Sequence, residues 1–335
     1  MMALCPDLHT QELYVQRFHD VGYWQPYIEM VCRRHCLQPY KVIRCHNPGT
    51  CPVFIIDDRW VVKYFGKLFN GLSSYYTELA ASQVTASDPS IPSPALIASG
   101  YLYDGGADWQ WPYLVYQFLP GVSFGETYEE LTPEDRFAVA RDLGTLTRRL
   151  HDLPLDEATV LRKSWSAYDA MLTAQRSSCV DRHRKWHTLP DHLIEQISTY
   201  LQAAGQLVDG AQYPVFVHGD ITGDHILVAR VAEHWNVRGL IDYDDALVGD
   251  PLYELIAIHL DAFRCKKKHL LAFLESYGIN AVTWHSVIRK VMSLTLLHQF
   301  DILSLIQTRY PQLGDFDTLE SLAACIWDPD APGFI

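Results

Sequence analysis

One stretch constrains this chain more than any other: His218-Gly219-Asp220-Ile221-Thr222-Gly223-Asp224-His225-Ile226-Leu227-Val228, with Leu240-Ile241-Asp242-Tyr243-Asp244-Asp245-Ala246 and Gly249-Asp250-Pro251 close behind it. Asp220 stands on a tight, Gly-flanked turn between two apolar runs, and Asp242 closes the next apolar run. Short apolar runs bounded by turn residues read as strands. The fold must therefore bring two strand-end carboxylates together. Gly249-Asp250-Pro251 reads as a helix start, an N-cap followed by Pro at the first helical position, so Asp250 is assigned a structural role.

Two strand-end aspartates suit phosphoryl transfer, which needs positioning and neutralisation of anionic oxygens more than covalent help. Asp220 is placed to orient an attacking hydroxyl or accept its proton. Asp242 would hold a hard divalent cation through oxygen. Mg²⁺ favours one or two carboxylates plus substrate phosphates over a closed protein cage, so a sparse ligand set is expected.

These phrases resemble the signature of the aminoglycoside phosphotransferase family, the small-molecule branch of the protein-kinase-like fold. That signature runs His-Gly-Asp, then Asn or His five residues on, then Ile-Asp-aromatic-x-acid-Ala, then Gly-Asp-Pro. His225 stands where Asn is commoner and is similar to the macrolide phosphotransferase branch. The resemblance implies an α+β, bilobal protein-kinase-like fold. Residues 1–118 would form a small antiparallel-sheet lobe with a leading helical segment, and residues 119–335 a larger, mainly helical lobe. It implies Asp220 as the catalytic residue, Mg²⁺ on Asp242 and His225, and ATP or GTP as co-substrate. An imidazole nitrogen is a softer ligand than an amide oxygen, so one metal is expected to be held firmly and a second weakly. Asp245 matches an acidic family position that would support the metal or the acceptor, and His218 opens the motif.

The same resemblance asks for a phosphate-binding Lys on an upstream strand and an acidic partner on a helix. Phe54-Ile55-Ile56-Asp57-Asp58-Arg59-Trp60-Val61-Val62-Lys63-Tyr64-Phe65 reads as a hairpin whose second strand carries Lys63. Tyr76 to Val84 has helical spacing and places Glu78 as the ion-pair partner. The loop before the hairpin, His46-Asn47-Pro48-Gly49-Thr50-Cys51-Pro52, has one Gly rather than three. Gly49 and Thr50 are its candidates for nucleotide contact, and the segment reads equally as an ordinary turn. Trp111 to Phe118 is an apolar strand running into Pro120-Gly121, the expected hinge, where backbone groups of Gln117, Phe118 and Leu119 would meet the base.

Downstream, Thr132-Pro133-Glu134-Asp135 caps a helix that continues to His151 at three-to-four spacing, with His151 read as packing or capping. Residues 191–208 and 252–263 read as further helices, and 284–306 as one long helix or two. Their faces would build the acceptor pocket.

Bulk properties narrow the partners. A net charge of −13 argues against nucleic acid and is compatible with a cationic, hydroxylated small acceptor. The short basic runs Arg182 to Lys185 and Arg264 to Lys268 read as solvated helix ends. No apolar run approaches a membrane span, and the start, Met1 to Asp7, lacks a leader pattern, so a cytoplasmic location is expected. Eight cysteines without an export signal read as reduced thiols. The cluster Cys32, His35, Cys36, Cys45, His46 and Cys51 lacks a zinc spacing and reads as small buried hydrophobes, two on one helix face. The same site chemistry also fits a metabolite kinase of choline, homoserine or sugar type. A catalytically silent nucleotide-binding module is the reading from another class, and antibiotic resistance is the expected role if the acceptor is a drug.

Overall fold

Val53–Ile56 (β2) and Trp60–Tyr64 (β3) form the expected hairpin, turned by Asp57 and Asp58 at φ 51° and 50°. Asp tolerates this left-handed conformation because its short side chain bonds locally. Ile43–Cys45 (β1), Leu96–Tyr101 (β4) and Pro112–Gln117 (β5) complete an antiparallel sheet in the order β1-β2-β3-β5-β4, with Lys63 opposite Leu114. The computed structural model describes residues 6, 8, 10–45, 49–103, 108–208 and 213–334. His46 to Pro48 and most of the Met1–Asp7 stretch lie outside the described residues.

Two helices ahead of the sheet, Gln11–Arg17 (α1) and Val21–Arg34 (α2), cover one of its faces with aromatic rings. Trp24 stacks on Tyr64 at 4.8 Å and meets Trp111 edge-on at 5.3 Å. Cys32 is buried on α2, but Cys36 is exposed past the helix end, so the pairing of both on one buried face is corrected. Gly71–Thr85 (α3) crosses the other side of the sheet. Its Tyr75 packs with Phe65, Leu114 and Tyr116, while Ala80, Ala81 and Val84 join the large core of the C-terminal half. The two halves therefore interlock through α3, the helix that carries Glu78.

The C-terminal half wraps helices around a few short strands. Val122–Ser123 (β6), Phe124–Thr127 (α4) and Pro133–His151 (α5) follow the hinge, with Thr132 capping α5 through the N–H of Asp135 as predicted. Ser166–Trp186 (α6) has no clear periodicity in the sequence because two of its five buried positions are the polar Gln175 and His183. Residues 191–208 are broken into Asp191–Ile194 (α7), Ile197–Tyr200 (α8) and Ala204–Leu207 (α9) rather than one helix. Arginines supply the reason for the second of these breaks. Arg289 takes the Tyr200 carbonyl at 2.9 Å and Arg176 that of Gln202, acceptors a continuous helix would have used.

Val215–Val217 (β7) pairs with Leu247–Gly249 (β10), and Ile226–Val231 (β8) lies between β6 and His234–Leu240 (β9). Residues 252–263 are helical, as Glu254–Ala257 (α10) opening into a π turn at Ile258–Ala262. Lys267–Tyr277 (α11), Ala281–Leu297 (α12), Leu303–Arg309 (α13) and Leu319–Trp327 (α14) close the chain, so residues 284–306 belong to two helices. The basic runs are not simply solvated. Arg182 and His183 bond the carbonyls of Leu296, Leu297 and His298, and Lys267 donates to four carbonyls of the C-terminal segment, from Ala324 to Pro332. No helix among the described residues is long and apolar enough to cross a membrane. The whole is an α+β, bilobal, protein-kinase-like fold.

Candidate active site

Strand β3 and helix α3 meet at a buried ion pair, with Lys63 Nζ 2.6 Å from Glu78 Oε2. From the other half of the chain, Asp242 Oδ1 reaches the same ammonium at 2.5 Å and Asp244 Oδ2 at 3.2 Å. Burial opposes charge on Lys63, yet the three carboxylates hold its pKa well above the usual lysine value. Burial raises the Glu78 carboxyl to about 7 against the pull of Lys63, and raises Asp244 to about 6 with help from Asp242. Asp242 is held low: burial works against it, but Lys63 and His225 favour its ionised form. Four residues from distant parts of the sequence thus share one charge network, and Asp244 was the member sequence reasoning passed over. It occupies a position the family pattern leaves open, so only its acidity beside Asp242 could have marked it.

The loop carrying Asp220 is fixed from below. Gly219 has φ +87°, and a Cβ there would meet the Asp245 carbonyl at 2.4 Å, so this corner requires glycine. The N–H groups of His218 and Gly219 donate to the wholly buried Glu254 at 2.7 and 3.1 Å, and that of Gly223 donates to Asp261 at 2.7 Å. Neither acid had a sequence signal beyond its helix. His218 is buried, stacks on Tyr243 at 4.3 Å, bonds the Ile241 carbonyl at 3.0 Å, and accepts the Asp220 N–H at 3.3 Å. Both of its ring nitrogens serve the loop's shape, and burial lowers its pKa.

His225 lies between the two aspartates. Its Nδ1 is 2.8 Å from the Asp220 carbonyl and 3.2 Å from Asp220 Oδ2, while Nε2 is 3.4 Å from Asp242 Oδ2. Burial opposes protonation, but the two acids override it and raise the imidazole pKa to about 10. At that pKa both ring nitrogens carry protons, Nδ1 facing the Asp220 carbonyl and Nε2 facing Asp242, so Nε2 would have to give up its proton before it could ligate a metal. Asp242 itself has φ +67°, a left-handed residue at the end of β9 that turns its carboxylate back toward Lys63. Glu78, Asp242 and Asp244 offer oxygens within 4.8 Å of one another, a hard donor set that fits a divalent ion. Asp250 caps the turn after β10, accepting from Leu252 at 2.9 Å and from Lys290 at 2.5 Å, which is the structural role read from the sequence. His151 bonds the Tyr277 hydroxyl at 2.7 Å, a packing role.

A cavity of about 450 Å³ lies between the halves. Gly49, Thr50, Lys63, Glu78, Gln117, Phe118, Leu119, His225 and Asp242 all line it. Ile55, Val61, Leu227 and Ile241 give the cavity apolar lining. At the hinge, the Gln117 N–H is spent on the Ala95 carbonyl and the Phe118 N–H on that of Arg59, both at 2.9 Å. Those two donors are therefore not available to a base, which narrows the expected hinge contacts to the Leu119 N–H and the carbonyls. Asp220 does not line the cavity and connects to it through His225. Asp245 is exposed beside it, within electrostatic reach of Asp220, Asp242 and Asp244.

The sequence profile of the phosphotransferase enzyme family matches residues 53–287, and the chain belongs to that family. Solved structures agree in fold. The GDP and kanamycin complex of the phosphotransferase APH(2")-IIIa superposes with a TM-score of 0.62 at 16% identity, covering 89% of this chain and 97% of that one. The streptomycin and ATP ternary complex of APH(2")-IIa gives 0.57 at 17% identity, covering 86% and 97%. Among curated proteins, an Arabidopsis thaliana lysine-specific demethylase, JMJ21, is 23% identical over 269 residues, 65% of this chain. That stretch is 28% of the demethylase, so the chain spans little more than a quarter of this relative.

Proposed function

We propose that the protein transfers the γ-phosphoryl group of ATP or GTP to a hydroxyl of a small molecule. The carrying observation is the unbroken chain of contacts Glu78–Lys63–Asp242–His225–Asp220, which joins a nucleotide-gripping region in residues 1–118 to a catalytic region in residues 119–335. In this reading Lys63 meets the α- and β-phosphates, held by Glu78, and the base slots between Ile55, Val61, Leu227 and Ile241 against the hinge. Gly49 and Thr50 close over the phosphates. Asp242 and His225 would hold Mg²⁺, with Asp244 as an added carboxylate. The ion would supply neutralisation of charge on the transferring group. Asp220 aims the acceptor hydroxyl and takes its proton as the new O–P bond forms and the bond to the leaving diphosphate oxygen breaks.

The acceptor enters from the rim, where Asp220 and Asp245 favour a cationic, hydroxylated molecule. Likeness to aminoglycoside-bound structures makes amino-sugars the first candidates, ahead of macrolides, choline, homoserine and simple sugars. The test is a panel of these acceptors with ATP or GTP and Mg²⁺, following nucleoside diphosphate release and the phosphorylated product by mass. Transfer above an Asp242→Asn control is expected. Nucleotide binding with no transfer or hydrolysis above that control would favour the silent binding module instead. A resistance assay in a bacterial host tells a drug acceptor from a metabolite.

A further inference from the structure

Helices α1 and α2 precede the stretch that defines the family, which starts at residue 53. Tyr14 on α1 nevertheless contacts Thr50, a residue that lines the cavity between the halves. It is 1% exposed, its ring lies edge-on to Phe18 at 4.6 Å and parallel to Trp111 at 6.2 Å, and its hydroxyl donates to the Thr50 carbonyl at 3.2 Å. Gly66, just past the strand that carries Lys63, packs directly against the same hydroxyl. A Cβ at Gly66 would come within 2.2 Å of that oxygen, so the hydroxyl's seat exists because residue 66 is glycine. One side chain therefore ties the loop at Gly49 and Thr50 to the end of β3.

The tie has a directional consequence. In a trans peptide the C=O and the following N–H point opposite ways in one plane. With the Thr50 carbonyl turned back to Tyr14, the Cys51 N–H is turned away from it, and both residues line the cavity. Main-chain N–H groups held in fixed directions are what a phosphate-binding loop needs, and this loop lacks the glycines that usually give the backbone its approach.

We propose that Tyr14 is a positioning residue for the nucleotide: its hydroxyl holds the Thr50–Cys51 peptide so that the Cys51 N–H meets a phosphate, replacing by an outside brace what a glycine-rich loop does by sequence. The inference rests on the nucleotide reading above. Tyr14→Phe in the full chain removes the hydroxyl and keeps the ring. Nucleotide Kd, measured with a fluorescent ATP analogue, and nucleotide KM are expected to rise roughly three- to tenfold, the worth of one hydrogen bond. Turnover at saturating nucleotide and the acceptor KM stay within about twofold.

Gly66→Ala leaves residue 14 unchanged but drives a methyl group into its hydroxyl and ring, displacing the hydroxyl, and is expected to weaken nucleotide binding in the same way. A purely structural role would instead lower Tm and leave Kd unchanged in the folded fraction. That result in both variants overturns the proposal. If the parent protein binds no ATP analogue, the nucleotide reading fails and takes this inference with it, whereas normal parent binding with unchanged Kd in the variants sinks the brace alone.

Discussion

Lys63, at the inner end of the cleft, is 5% exposed and touches three carboxylates; at the outer end Asp245 is exposed and Phe300, in a ring series that leads out from Tyr253 through His298, is 61% exposed. The inner end is over-determined: Lys63 on β3 meets Glu78 from α3 and both Asp242 and Asp244 from the segment after β9. The outer end is built from helix termini and connections, where Tyr253 and His298 are buried while Asp245 and Phe300 face solvent. Under the phosphoryl transfer proposed above, the difference matches two tasks. A triphosphate offers the same charges in every turnover, so a preorganised set of charges suits it. An acceptor offers a single hydroxyl on a variable body, and the positions that meet the body are free to differ.

The sharpest way to break this comparison is at the residue joining the ends. Asp220→Asn is expected to lower turnover by about 10³-fold, within the usual range for a general base, while nucleotide Kd by calorimetry stays within about twofold. A comparable loss of nucleotide affinity would place Asp220 in the inner group and dissolve the distinction. Next in size is Lys63→Met. Removing one partner of a buried pair leaves Glu78, Asp242 and Asp244 without their cation, which costs about 3–5 kcal/mol in unfolding free energy. Denaturant unfolding measures it, and the double variant with Glu78→Leu is expected to recover part of the loss because it also removes a buried charge. A single variant as stable as the parent would show that the inner network is not buried in solution.

The same division explains what the sequence could reveal. Lys63, Glu78, Asp220, His225 and Asp242 were legible as positions: strand, helix and turn signals placed them on the elements observed, and the structure brings them into one connected network. Asp244 was not, because its neighbours Asp242 and Asp245 carried the pattern. Glu254 and Asp261 were invisible as partners: a helical carboxylate that accepts main-chain N–H bonds looks like any other until the loop above it is in place. The break in residues 191–208 was equally hidden, since it depends on Arg289 and Arg176 arriving from other helices to take carbonyls. The helix α6 escaped because Gln175 and His183 sit among its buried positions. Tertiary partners overrode local pattern in each case.

Glu254 gives an intermediate effect. Glu254→Gln retains shape but replaces a charged acceptor of the His218 and Gly219 N–H groups with a neutral one. The expected cost is about 1–3 kcal/mol in stability, with turnover falling more than either KM because the Asp220 loop loses its setting. Full activity at reduced Tm would show that the loop's geometry survives without the charge, and that Glu254 serves packing alone.

The smallest effect belongs to the outer end. Phe300 is exposed and stacks only loosely, 5.9 Å from His298, so Phe300→Ser is expected to change stability by less than about 0.5 kcal/mol. If the rings from Tyr253 to Phe300 lead the acceptor toward Asp220, acceptor KM rises a few-fold while nucleotide KM and the turnover of saturated enzyme hold steady, the signature of lost uniform binding. An unchanged acceptor KM across the panel would move the acceptor's body to another wall of the rim, where α6 and the segment after Asp245 meet. Among the described residues the inner network would then carry the cleft's fold-fixed contacts, and the contrast between the two ends would be sharper.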